Sequence, residues 1–420
     1  MFGVKRQWNA GRRLTPAKLV RSVALASCLL LAAHLSPAYA ERTSSEFAAT
    51  LTEAEREPFQ AYIAAQSHHA ASLDAYWRAV SDKRNGRKRK KGADQALTTA
   101  DYVLTFPPAY GGPALTPELA KRWAAFQEQK DAASPPPKPK PGLEDFLSNA
   151  REHFDFTPER IPEREFKLRY AREALALGLT KDQVVRIYAL ETSGLGTAEM
   201  VAGIHPIKKT GKPISTAIGY SQLLAANSVS ELVKSGPAFI DRLRKLSVSS
   251  SIGFERAALL NAKIESLKRM VAAARSVPNE WEHHQAYART PKGYGIHAIN
   301  LDGDIGPWLQ VVKLEGLRKT AARKGMMQLA GAEIELMNLA GPSTGIEMMR
   351  PVGRKVPTPN FFERTAYNTN TIVRGKTSEE LITALDQRME ENIVNAGAIE
   401  FNEVFDQAIA EQQAAATAAR

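Results

Sequence analysis

Glu191 is the residue from which chemistry can be argued. Thr180 and Gln183 form a capping box that starts a helix near Lys181. Val184, Ile187, Tyr188 and Glu191 then fall at i, i+3, i+4 and i+7 on one face of it. That face should point inward, and Gly194 and Gly196 should end the helix just beyond. The spacing therefore puts a carboxyl group at a helix end, on the buried side, beside a flexible turn. Burial disfavours the ionised form, so such a glutamate keeps its proton near neutral pH and can act as a general acid. Read alone, the pattern equally describes a glutamate at the rim of a core, hydrogen-bonded to nearby amides.

Two further segments stand out beside "LETSG" at 190–194. One is "AIGYSQLLAANS" at 217–228. The other is downstream and has two candidates, "ELMNLAGPSTG" at 335–345 and "RTAYNTN" at 364–370. Each is ordinary by itself. Residues 219–223 read as a turn entering a helix, and 338–342 as a helix end with Gly341 beyond the last turn and Pro342 as a stop.

Taken in order, the three resemble the catalytic domain of the soluble lytic transglycosylase family, which has a lysozyme-like fold. That family shows a Glu-Ser pair at a helix end, then a Gly-Leu-Met-Gln-like segment, then Ala-Tyr-Asn-Ala-Gly-Pro. Glu191 matches the catalytic acid, although its neighbour is Thr192 and Ser193 sits one place later. Gly219, Tyr220, Ser221, Gln222 and Leu223 match the second motif. Ala340, Gly341 and Pro342 keep the end of the third, with Asn338 and Leu339 where Tyr-Asn is expected. Ala366, Tyr367 and Asn368 keep the Tyr-Asn letters without the Ala-Gly-Pro. The segment 335–342 is the better structural match, and whether Asn338 or Tyr367 faces Glu191 is left open. The resemblance covers about half of 143–420, and the stretch 229–327 is longer than the family places between its second and third motifs.

The resemblance implies cleavage of the bond between MurNAc and GlcNAc in peptidoglycan. The glutamate first protonates the leaving oxygen. It then serves as base for the sugar's own 6-hydroxyl, which closes a 1,6-anhydro ring without consuming water. Glycoside hydrolases of the usual kind pair two carboxylates. No second carboxylate here carries a motif of its own, although Glu199, Asp302 or Glu335 could come close in space. By position, Ser193 would hydrogen-bond the substrate or the Glu191 carboxyl, Gln222 would hold an N-acetyl group and Tyr220 would stack on a sugar ring. Gly219, Asn338 and Tyr367 complete the substrate-binding set.

The elements that must position these residues are helical. The chain is rich in Ala, Leu, Glu, Lys and Arg, so a mainly α fold is expected. Helices are predicted over 164–177, 181–191, 228–246, 252–275, 307–324, 328–340 and 377–411, with 204–218 as an irregular loop or small hairpin. "SPPPKPKPG" at 134–142 holds five prolines and reads as a semi-rigid spacer. It separates an N-terminal helical region, 41–133, from a lysozyme-like helical domain, 143–420, with an insertion at 229–327.

The first forty residues read as an export signal. Six basic residues and no acid precede the apolar run "SVALASCLLLAAHL", and "AYA" at 38–40 offers cleavage after Ala40. The expected location is periplasmic or secreted. A lipoprotein anchored through Cys28 is the weaker alternative. Cleavage at Ala40 would remove the only cysteine and take the formal charge from +11 to +5. The basic run "KRNGRKRKK" at 83–91 is expected as a solvated loop, with contact to anionic envelope polymers or lipid head groups as the alternative. Export argues against nucleic acid as a partner. No His-x-x-x-His, Cys-x-x-Cys or phosphate-loop pattern occurs, so neither metal nor cofactor is expected. Two rivals keep the fold: a non-catalytic peptidoglycan-binding or envelope-assembly protein, and a hydrolytic muramidase.

Overall fold

The computed structural model describes residues 37–131 and 139–418. The export signal, except its last four residues, and most of the proline-rich spacer lie outside the described residues. The fold is mainly α. Seventeen α-helices form among the described residues, and the only β pairings there are isolated bridges. None of these helices is long and apolar enough to cross a membrane.

The chain divides into two compact units. One holds the described residues up to Tyr76 and from Pro108 to the spacer; the other holds Trp77 to Pro107 and everything after the spacer. The first contains α1 (Pro37–Ala48), the start of α2 (Glu53–Gly92) and α3 (Pro117–Asp131). Its core is a small aromatic cluster of Phe47, Phe59 and Trp123 with Leu51 and Leu119.

The second unit carries the rest of α2, then α4 (Leu143–Phe154), α5 (Glu163–Ala176), α6 (Lys181–Thr192), α7 (Ala225–Ser247) and α8 (Phe254–Ala274). Short helices α9 (Trp281–Tyr287) and α10 (Pro291–His297) precede α11 (Gly306–Ala322), α12 (Gly331–Ala340) and α13 (Pro342–Met349). The chain ends with α14 (Pro351–Arg354), α15 (Arg364–Thr369), α16 (Ser378–Ile393) and α17 (Ala396–Ala418). Two clusters of buried side chains organise these helices. One is built by α5, α6, α12, α13, α16 and α17, the other by α4, α7, α8 and α10, and α11 contributes to both. The segment 229–327 therefore supplies most of the second cluster.

Three sequence expectations change here. The boundary does not fall at the spacer alone, because 77–107 belongs with the second unit. Within that unit Trp77 packs edge-on against Tyr367, and the Asn360 amide donates to the Val103 carbonyl at 2.7 Å. The basic run 83–91 is also not a solvated loop but the last turns of α2. Arg87 is 3% exposed and donates to Glu347 at 2.8 Å, Lys91 reaches the same carboxylate at 2.6 Å, and Lys90 pairs with Asp101 at 2.7 Å. Cations suit the negative end of a helix dipole, and these acids come from elsewhere in the fold, so composition alone hid the pairing. Lys88 and Arg89 stay exposed.

The predicted helix 377–411 is broken. Val394 and Asn395 separate α16 from α17. That break fastens the end of α6, because Asn395 donates to the Ser193 carbonyl at 2.9 Å and the Ala398 amide donates to the Gly194 carbonyl at 3.0 Å.

Candidate active site

Helix α6 forms as its residues direct. Thr180 Oγ1 accepts from the Gln183 amide at 3.2 Å, and Gln183 Oε1 accepts from the Thr180 amide at 3.0 Å. Val184, Ile187 and Tyr188 are buried, so the face that carries Glu191 turns inward. The helix ends at Ser193, whose φ of +53° is left-handed, one residue before the glycine expected there. A non-glycine residue in that region costs about 1 kcal/mol, which the clamp from Asn395 offsets. Within the last turn Thr192 Oγ1 donates to the Tyr188 carbonyl at 2.6 Å, and the loop beyond is tied back by the Tyr188 hydroxyl, which donates to the Gly196 carbonyl at 2.7 Å.

Glu191 is half-buried at the helix end, and loss of solvent raises its pKa. Two weaker influences oppose this rise: a hydrogen bond to the Glu335 carboxyl and the charge of Lys313. Asn338 of α12 points its amide nitrogen at Glu191 Oε1, 3.4 Å away, and at the two oxygens of Glu335, 3.2 and 3.3 Å away. The first and third motifs, 147 residues apart in the chain, therefore meet at this amide. The Asn338 side-chain oxygen, Oδ1, is buried without a hydrogen-bond partner.

Glu335 is 3% exposed. Burial holds its pKa well above the usual carboxylate range, and the adjacent Glu191 adds to that. Burial lowers the Lys313 pKa, while Glu335, Glu191 and Glu231 of α7 act in the opposite direction. Of the three acids that could have approached Glu191, only Glu335 does. Glu199 pairs with Arg160, and Asp302 is fully buried on Lys263 at 2.9 Å while accepting the Glu159 amide at 2.8 Å.

The second motif is a tight turn. Ile218 and Leu223 exchange backbone hydrogen bonds at 3.1 and 3.0 Å, and Gly219 turns the chain with φ +76°. A Cβ at Gly219 would sit 2.6 Å from the Gln310 amide nitrogen, whose partner oxygen accepts the Ser221 amide at 3.1 Å. Gln222 folds over the same turn, donating to the Gly219 carbonyl at 2.8 Å and to the Met200 carbonyl at 3.4 Å, so its carbonyl oxygen is the atom left to meet a ligand.

Two expected roles do not fit these positions. Tyr220 is 1% exposed, its ring is packed by Tyr188, Tyr170, Phe166 and Phe401, and its hydroxyl donates to Glu163. It cannot stack on a sugar; it joins the second motif to α6. Tyr367 is buried against Trp77, and its hydroxyl accepts the Gly375 amide at 3.0 Å, so Asn338 and not Tyr367 faces Glu191. Ser193 is exposed, with its side chain open to solvent at the end of α6. Helix α12 ends at Ala340 as expected, with Gly341 beyond it at a φ of +88° that makes the corner, and Pro342 then opens α13.

Sequence reasoning could name Glu335 only as one acid among three, and it passed over Lys313. Neither has a motif, and the sole signal was the i, i+3 spacing of Glu335 to Asn338. Among the described residues, no group of three His, Cys, Asp or Glu side chains is arranged to hold a metal ion. No protein-family model, curated protein or solved structure matches the chain.

Proposed function

We propose that the protein is a peptidoglycan lytic transglycosylase on a lysozyme-like fold, with Glu191 as its acid and base. The observation that carries this reading is the meeting of Glu191 with Asn338 at 3.4 Å, which joins two of the three motifs at a half-buried carboxyl group whose pKa is raised by loss of solvent. The protonated Glu191 carboxyl gives its proton to the oxygen linking MurNAc to GlcNAc, and the bond from that oxygen to C1 breaks. The sugar's 6-hydroxyl oxygen then bonds to C1 and returns a proton to Glu191. No water enters the balance and no cofactor is required.

The presence of Glu335 does not favour the hydrolytic rival. A hydrolase that forms a covalent intermediate holds its carboxyl groups about 5–5.5 Å apart, and one that admits water between them needs more. Glu335 is 3% exposed and is held by the Asn338 amide at 3.2 and 3.3 Å, so it offers no open face to a sugar or to a water beside one. The non-catalytic rival has to explain a buried acid, Glu335, and a half-buried one, Glu191, gathered around one Asn338 amide at a cost in stability.

Peptidoglycan digested with the purified protein, wild type beside Glu191→Gln, tests the reading by mass spectrometry. Anhydro-muropeptides from the wild type alone, with at least a thousandfold less from the variant, are expected. Reducing-end products would make the protein a hydrolase. Wall binding without products from either protein would make it a binding protein.

A further inference from the structure

Arg84, Arg87, Lys88 and Lys91 fall at i, i+3, i+4 and i+7 near the end of α2, so they share one face of that helix. Against this face α13 sets Thr344 and Glu347, and the turn at 360–361 completes the wall. Together they enclose a recess of about 60 Å³. Such a space holds a few waters or one tetrahedral anion, and it is too small for a sugar ring. We propose that the recess binds a phosphate group that still carries a proton, as inorganic phosphate or as a phosphomonoester. The proposal stands apart from the glycan-cleaving reading.

The walls are fixed before any ligand arrives. Arg87 donates to Glu347 at 2.8 Å, to the Asn360 carbonyl at 2.6 Å and to the Asp101 carbonyl at 3.1 Å. The Asn360 side chain is itself held, donating to the Val103 carbonyl at 2.7 Å and accepting the Val103 amide at 2.9 Å. Arg84 donates to the Phe362 carbonyl at 2.8 Å and pairs with Glu363. Donors are nevertheless left over. Lys91 gives one of its three N–H groups to Glu347, at 2.6 Å. The Lys88 ammonium and the Thr344 hydroxyl have no hydrogen-bond or ion-pair partner among the described residues. Charge points the same way. Four cations stand against two carboxylates, Glu347 in the recess and Glu363 on Arg84, and the neighbouring Lys90 and Asp101 neutralise each other. The surplus of two positive charges matches a phosphate group of about −1.5 to −2. Thr344 lies in the first turn of α13, where the helix dipole favours an anion. The end of α2 opposes one with about half a charge, which its own four cations exceed.

Glu347 decides which anion. Its carboxylate has about four lone-pair directions. Arg87, Lys91 and the Tyr102 hydroxyl, at 3.1 Å, occupy three of them. The fourth can accept a proton from a P–O–H group. Sulfate and phosphodiesters carry no such proton at neutral pH, so they bring only oxygens that the carboxylate repels. The same residue that reduces the positive charge of the recess thus selects phosphate over its closest look-alikes.

Calorimetric titration of the purified protein with inorganic phosphate, at an ionic strength held constant with chloride, tests this. Saturable binding is expected, with about tenfold weaker binding in Lys88→Ala and in Thr344→Val. Neither side chain has a partner to lose, so both variants should keep the wild-type melting temperature. Sulfate and dimethyl phosphate should each bind the wild type at least about tenfold more weakly than phosphate does. Glycerol phosphate, a monoester, identifies the source. If it binds as tightly as phosphate, the recess takes phosphomonoesters; if only the free ion binds, it takes inorganic phosphate. Either result upholds the site. Sulfate binding as tightly as phosphate would overturn the role of Glu347 and the proposal with it. Equal affinities in the wild type and both variants would mean an adventitious ion only. That result, or the absence of saturable binding, overturns the proposal.

Discussion

Tyr188 and Tyr220 pack edge to face with ring centroids 5.0 Å apart, and this contact joins the helix that ends at Glu191 to the turn that carries the second motif. The Tyr220 hydroxyl donates to Glu163, which also accepts the Ala198 amide at 3.2 Å. One carboxylate thus ties together α5, the loop after Glu191 and the second motif. Tyr220→Phe keeps the ring and removes that bond. It should destabilise the protein by about 1–2 kcal/mol in chemical denaturation. Its KM should be unchanged, because the ring meets protein and not substrate. A large rise in KM at constant stability would restore the sugar-stacking role.

The Glu191–Glu335 pair should cost stability as pH rises. Both groups have a folded-state pKa raised above the unfolded value. Their contribution is fully present below the unfolded carboxylate range and is lost as pH climbs toward the folded values. Glu335→Gln removes one ionisable member. The variant should match the wild type near pH 4 and exceed it by about 1–2 kcal/mol at pH 8 in urea denaturation. A variant less stable than the wild type at pH 8 would argue that the ionised pair is well compensated.

His297 should govern part of the acid limit. Its ring is fully buried, with Nε2 2.7 Å from the Thr216 carbonyl and Nδ1 2.8 Å from the Ser228 hydroxyl. Burial pushes its pKa down to about 4, so the folded protein holds it neutral. The unfolded chain binds that proton near the ordinary value, so stability present above about pH 6.5 is lost progressively toward pH 4. The loss amounts to roughly 3 kcal/mol over that window. His297→Gln should show the smaller drop between pH 7 and pH 4.5. Equal drops in both proteins would place the acid sensitivity elsewhere.

Gly219→Ala tests the turn. The new Cβ would face the Gln310 amide at 2.6 Å, at a φ of +76° that alanine resists. A loss of about 1–3 kcal/mol is expected. Adding Gln310→Ala should not restore it, because that relieves the clash but leaves the backbone strain and frees the Ser221 amide. Full recovery in the double variant would show that the clash alone mattered.

The sequence by itself determined the local parts of the site. The capping box, the inward face of α6 and the carboxyl at its end follow from the 3.6-residue period and from side-chain hydrogen bonds within one turn, and all are present. So is the loop at 204–218, which forms the bridges Val201 to Ile218 and Ile204 to Gly211. Tertiary structure decided what those parts meet. Asn338 of α12 reaches Glu191, and Glu335 and Lys313 act on its carboxyl from α12 and α11, because helix surfaces lock together in three dimensions, and no local spacing encodes which side chain arrives opposite which. The burial of Tyr220 and the docking of the basic end of α2 on Glu347 have the same origin. An aromatic or charged residue type is compatible with surface or core, and only the partner supplied by a distant segment chooses between them. Two acids gathered around one amide are the extreme case. Nothing in a short stretch of chain favours such a pair, so it becomes visible only when the packing of α6 against α12 brings the acids together.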